Sequence, residues 1–168
     1  MEPSLYWSLT ALLIAALVAI AVWAVRTANR LDRRHVRYDL SWQALDAALG
    51  RRAVVARAVA VDAYGERPEA RRLVALADAA ENAPRTSREA CENELSTALE
   101  TVDPARVPLG LLDELADAET RVLLARRFHN DAVRDTLALR ERRPVRWLKL
   151  GGRAPLPSYF EIAEPEQR

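Results

Sequence analysis

Residues 5–25 carry no charge, and ten of these 21 positions are Leu, Ile or Val. A helix of that length rises ~31 Å, the thickness of a bilayer hydrocarbon core. Tyr6 and Trp7 stand at one end and Trp23 at the other, where interfacial aromatics sit. The residues ahead of the run, "MEPS", lack the basic n-region of a cleaved signal peptide, so a retained anchor is expected. No Lys or Arg precedes the run, whereas Arg26, Arg30, Arg33, Arg34 and Arg37 follow it. That asymmetry predicts an N-terminus outside and the rest of the chain in the cytoplasm, as a single-pass protein of the cell membrane.

Beyond the apolar run the pattern turns amphipathic. Leu31, His35, Tyr38, Trp42, Leu45, Leu49, Arg52, Ala56, Val59 and Ala63 recur in steps of four and three. This predicts one helix continuing from the membrane segment to about residue 63. "GERP" at 65–68 interrupts it, and Pro68 suits the first turn of a second helix, about 68–81, with Leu73, Leu76, Ala77 and Ala80 inward. "NAP" at 82–84 ends that helix. Thr86 with Glu89 reads as a capping box for a third helix that buries Cys91, Leu95, Ala98 and Val102. "DPARVP" at 103–108 follows, with Asp103 as a cap. A fourth helix, about 109–142, carries Leu111, Leu115, Ala118, Val122, Ala125, His129, Ala132, Thr136 and Leu139 on its stripe, and Pro144 stops it.

The fold class expected is therefore all-α. An N-terminal transmembrane helix continues into an antiparallel four-helix bundle built from two long helices and one short helical hairpin. The segments are a tail at 1–4, the membrane helix at 5–25, the bundle at 26–143 and a C-terminal tail at 144–168. The long helices have about 35 residues outside the membrane, ~50 Å, and the hairpin helices about 15, ~23 Å. A hairpin that short leaves one side of the long pair bare near the membrane, which is the expected docking surface for a partner.

Residues 140–153 hold six basic groups and one acidic group, with Trp147, Leu148 and Leu150 interleaved. Arg142, Arg143, Arg146, Trp147 and Lys149 form a candidate membrane-surface site, because basic residues near anionic lipid gain about 1 kcal/mol each. In an alternative reading Val145, Trp147, Leu148, Tyr159 and Phe160 fold back over the long helices. The two are compatible.

Composition adds limits. Net charge is +1, so the chain has no global nucleic-acid footprint. Arginine supplies every basic position but Lys149, which reads as codon bias. With Cys91 alone, neither an intrachain disulfide nor a thiolate metal cluster can form within one chain.

Two stretches resemble the LemA family. "NRL" at 29–31 with "RYDLSWQALDAALGRR" at 37–52 is similar to the family's first long helix. Arg37, Asp39, Trp42, Asp46, Leu49, Arg51 and Arg52 keep its spacing. "AETRVLLARRFHNDAVRD" at 118–135 and "YFEI" at 159–162 resemble its last helix and the element after it. Between residues 53 and 117 the chain does not match. The resemblance implies a membrane helix, a cytoplasmic helical bundle and a scaffolding role, without catalytic residues to transfer.

The chemical candidates are few. His129, Asn130 and Asp131 are adjacent but point in directions 100° apart, so they do not converge on one substrate. His129 lies on the stripe, where a structural polar contact is expected; the family position is usually tyrosine. His35 and His129 could share a metal with Asp39, Asp131 or Asp135, though none of these carboxylates falls on the stripe. Cys91 reads as inert core, and Arg51, Arg52, Arg71 and Arg72 as solvated faces, with the head of Arg52 at the rim. No catalytic, cofactor or metal residue is assigned. The leading function is a non-enzymatic scaffold or adaptor that holds protein partners, or copies of itself, at the cytoplasmic membrane surface. The alternatives are a metal-dependent enzyme using His35 and His129, and an anionic-lipid sensor working through the basic tail.

Overall fold

A computed structural model of the chain describes residues 3–141 and 156–162. It is all-helical over those residues, with α1 Pro3–Tyr64, α2 Pro68–Asn82, α3 Arg85–Glu100, a 3-10 turn Pro104–Arg106 and α4 Leu109–Arg140. The chain divides into two compact units. One comprises Met1–Tyr38 with Ala132–Pro157, the other Asp39–Asp131 with Ser158–Arg168.

The first unit contains the start of α1. Tyr6–Thr27 is long and apolar enough to cross a membrane, with mean hydropathy 2.5 and none of it buried within the protein. Its two threonines spend their hydroxyls on their own helix. Thr10 Oγ1 donates to the Tyr6 carbonyl at 2.8 Å and Thr27 Oγ1 to the Trp23 carbonyl at 2.9 Å. Such back-bonding removes a free donor from a surface that otherwise presents hydrocarbon. Elsewhere in this unit Val133 and Thr136 are buried, and Arg37 faces Asp135 at 3.8 Å.

The second unit holds the core. α1 contributes Ala53, Ala56, Val59, Ala60 and Ala63; α2 adds Ala70, Leu73, Ala77 and Ala80; α3 adds Leu95 and Leu99, and α4 adds Ala118. Alanine at so many facing positions lets helices approach closely, which replaces bulk with contact density. Leu45, Leu49 and Leu95 are fully buried, and each contributes about 1.5–3 kcal/mol relative to an exposed position. A second cluster joins Leu45, Leu49 and Val122 to Phe160 and Ile162 of the C-terminal segment.

The helix ends follow from local chemistry. Gly65 adopts φ +61°, and its N–H donates to the Val61 carbonyl at 2.8 Å, the left-handed cap that stops α1 at Tyr64. Pro68 occupies the first turn of α2 as expected. Asp103 caps the 3-10 turn, accepting from Ala105 N at 3.0 Å.

Two expectations for α3 are corrected. The capping box at Thr86 and Glu89 does not form: the helix starts at Arg85 with Pro84 as its cap residue and no side-chain cap bond. The Pro84 carbonyl accepts from Ser87 N at 2.9 Å, while the Glu89 carboxylate accepts from Glu161 N of the C-terminal segment. The buried face also differs. It is Arg88, Glu92, Leu95, Ser96 and Leu99, whereas Cys91, Ala98 and Val102 are only partly buried. The helix has turned to bring a charged row inward, because a buried partner on α1 compensates it.

Candidate functional site

That partner is Arg52, which is 4% exposed, so its head lies inside the protein and not at the rim expected from its place on the stripe. Its Nη2 donates to Glu92 Oε2 at 2.6 Å and to the Glu92 carbonyl at 3.1 Å, and its Nη1 donates to Ser96 Oγ at 3.0 Å. Glu92 is fully buried. Its other oxygen accepts from Arg88 Nε at 2.9 Å. Arg88 Nη1 reaches Asp46 Oδ1 of α1 at 3.1 Å and donates to the Glu81 carbonyl in the last turn of α2 at 2.9 Å. One carboxylate and two guanidinium groups thus tie α1, α2 and α3 together, and Arg88 also satisfies a helix-end carbonyl. Arg51, Arg71 and Arg72 are exposed, as expected of solvated faces.

An aromatic cluster forms where α1, α3, α4 and the C-terminal segment meet. The Trp42 ring lies 5.5 Å from His129 and 5.7 Å from Phe160, both edge-on, and the Arg85 guanidinium stacks 4.0 Å from the Trp42 centroid. His129 is 1% exposed, and its Nδ1 is hydrogen-bonded to Ser41 Oγ at 3.1 Å. The structural role expected of this histidine fits that environment. Burial, and next the nearby Arg85 charge, hold its pKa below the usual 6.5, while a backbone contact with Ser158 pulls the other way.

Asn130, next in sequence, turns to the C-terminal segment instead. Its Nδ2 donates to the Phe160 carbonyl at 3.1 Å and its Oδ1 accepts from Phe160 N at 2.9 Å. Arg126 adds a bond from Nη1 to the Ile162 carbonyl at 2.9 Å. The segment is held by its backbone and anchored by Phe160 and Ile162, whereas Tyr159 is 46% exposed. Phe160 therefore folds back as one of the two tail readings has it, and Tyr159 does so only in part.

A groove of about 820 Å³ opens beside Arg52, between α1, α3 and α4. Glu119 is half-buried in its α4 wall. Loss of solvation raises the Glu119 pKa; Arg52 opposes that shift and Glu100 reinforces it.

Arg142, Arg143, Arg146, Trp147 and Lys149 lie outside the described residues, as does the side chain of His35. Among the described residues, no three of His, Cys, Asp and Glu lie close enough to hold a metal ion. Comparison with protein families, with curated proteins and with solved structures finds no match.

Burial of His129 in its neutral form has a pH signature. The unfolded chain takes up a proton near 6.5 and the folded chain only at lower pH. Below 6.5 the unfolded state binds more protons, so stability falls as pH drops from 7 towards 5. Thermal unfolding followed by circular dichroism across that range is expected to show a decline in wild type that is shallower in His129→Phe. Equal slopes would refute the assignment.

Proposed function

We propose that the chain is a membrane-anchored, non-enzymatic scaffold or adaptor of the LemA type, with residues 26–143 folded as an antiparallel four-helix bundle in the cytoplasm. The apolar helix Tyr6–Thr27 supports the anchor, and the five arginines that follow the apolar run support the orientation. The docking role rests on one observation above all. Leu124 and Phe128, one turn apart on α4, are 48% and 66% exposed. Arg121 and Asp117 continue that face as an ion pair at 2.7 Å. An apolar pair with a charged neighbour suits the helix of a partner protein, whose own apolar row would cover Phe128.

The scaffold reading predicts a position-specific crosslink. A photoreactive residue at 128 in living cells is expected to give a discrete adduct that Leu124→Glu reduces at least tenfold. The same residue at the exposed position 62 is expected to give none. Identical adducts from both positions would sink the reading, and a product of twice the chain mass would assign the face to a second copy. Protease added from the outer side is expected to spare the bundle.

A further inference from the structure

The C-terminal segment is held as a peptide ligand is held. Phe160 and Ile162 are buried and Glu161 between them is exposed, the alternation of an extended strand. The helix side chains that hold it bind its backbone. Asn130 donates to the Phe160 carbonyl and accepts from the Phe160 N–H, Arg126 donates to the Ile162 carbonyl, and the Glu89 carboxylate accepts from the Glu161 N–H. Main-chain bonds that supply affinity, with pockets for alternate side chains that supply selectivity, are the physics of peptide recognition. None of these contacts requires the segment and its slot to belong to one molecule.

The way the chain reaches the slot favours a trade between molecules. The compact units divide between Pro157 and Ser158, so the arm Ser158–Ile162 groups with the helices of the second unit and not with the stretch that carries it. Pro157 disfavours the helical region for Leu156, and residues 156–162 form no helix. Residues 142–155 tether the arm, a length that reaches roughly 50 Å when stretched, enough for a neighbouring molecule. Phe160 covers Leu45, Leu49 and Val122. An empty slot would put that apolar surface in water, so an arm that leaves has to be replaced by another. The sequence shown to fit is this chain's own, and a reciprocal swap keeps every contact while closing as a two-fold pair.

We propose that two copies of this chain swap residues 158–162, each arm filling the slot of the other copy. Phe160 and Ile162 are the anchors, and Asn130, Arg126 and Glu89 of the receiving copy hold the backbone between them. Val122, Arg126 and Asn130 stand four apart on one face of α4, whereas Leu124 and Phe128 lie on another. The swap therefore stands or falls independently of partner docking at Phe128.

The test uses two full-length copies reconstituted together in phosphatidylcholine nanodiscs that hold a pair of chains. One copy carries a photoreactive residue in place of Tyr159, which is 46% exposed, and the other carries an affinity tag. Irradiation is expected to give an adduct of twice the chain mass. Recovered through the tag under denaturing conditions, it should map by peptide mass spectrometry to residues 122–131 of α4 or 85–92 of α3 in the tagged copy. Phe160→Ala in the photoreactive copy is expected to lower that adduct at least tenfold. An excess of a synthetic peptide of residues 158–168 should do the same, and the peptide with Phe160→Ala should not, which tests the slot without altering the chain. Leu124→Glu in both copies should leave the yield unchanged. An adduct found only within the photoreactive chain would overturn the swap, and so would equal competition by the two peptides. A twice-mass adduct insensitive to Phe160→Ala would overturn it too, as would one abolished by Leu124→Glu, which would assign the pairing to the other face of α4.

Discussion

Glu92→Ala is expected to destabilise the second unit by about 3–5 kcal/mol, because it leaves two buried guanidinium groups without their shared carboxylate. Arg52 and Arg88 each keep 5% or less of their side chain exposed, so neither reaches water without moving helices. Of their partners, Asp46 is half exposed and holds only Arg88, and Ser96 is uncharged. Thermal unfolding of the full chain in detergent, followed by circular dichroism, measures the loss. Glu92→Gln keeps the shape and one acceptor, so it should lie between wild type and alanine.

A triple replacement, Arg52→Met with Arg88→Met and Glu92→Leu, separates two roles for this network. Removing all the charges together is expected to be neutral or stabilising by about 1–4 kcal/mol, because no ion then has to be desolvated. The Glu81 carbonyl, at the end of α2, loses its donor but lies next to exposed residues and can take water. A stable triple variant together with a crippled Glu92→Ala would identify the network as a device for helix register. If Glu92→Ala unfolds at the wild-type temperature, the buried triad does not exist in solution.

Phe160→Ala is expected to release the C-terminal segment. The ring is 3% exposed among Leu45, Leu49 and Val122, and truncating such a phenylalanine costs about 3–5 kcal/mol when the rest of the fold holds. Here the loss has a ceiling. Besides Phe160, the described segment buries Pro157 and Ile162, and it has polar ties from Asn130, Arg126 and Glu89. Once the ring is gone the segment should detach locally before the helices unfold. Amide exchange at Phe160 and Glu161 is then expected to approach that of an open chain, while α1 and α4 keep their protection. Asn130→Ala should give the same exchange pattern with a smaller change, since it removes two hydrogen bonds but leaves the ring in place. Full protection at Phe160 in both variants would show that the segment is held by something other than this clamp.

These residues differ in how far the chain alone discloses them. The fourth stripe in steps of four and three places His129 inward, and it is buried at 1% exposure. The clamp beside it is not legible. Asn130 lies off the stripe, and its partner stands 30 positions later in a segment without helical period. A side chain that binds a distant backbone leaves no periodic trace. Arg88 and Glu92 form an i,i+4 pair, which ordinarily marks a solvated face. The signal in the sequence is Arg52 itself, a charge in phase with nine other stripe positions on α1.

What the sequence alone determines here is local. High hydropathy makes Tyr6–Thr27 long and apolar enough for a bilayer, apolar spacing sets four helices, and glycine and proline set their ends. These depend only on neighbours within a turn or two, where side-chain type and backbone geometry suffice. Tertiary structure decides which face of α3 turns inward, that Arg52 is buried against Glu92, and that the C-terminal segment lies on α4. Each of these depends on a partner more than 25 residues away, because the free energy of burying a charge or a backbone amide is set by what it meets there.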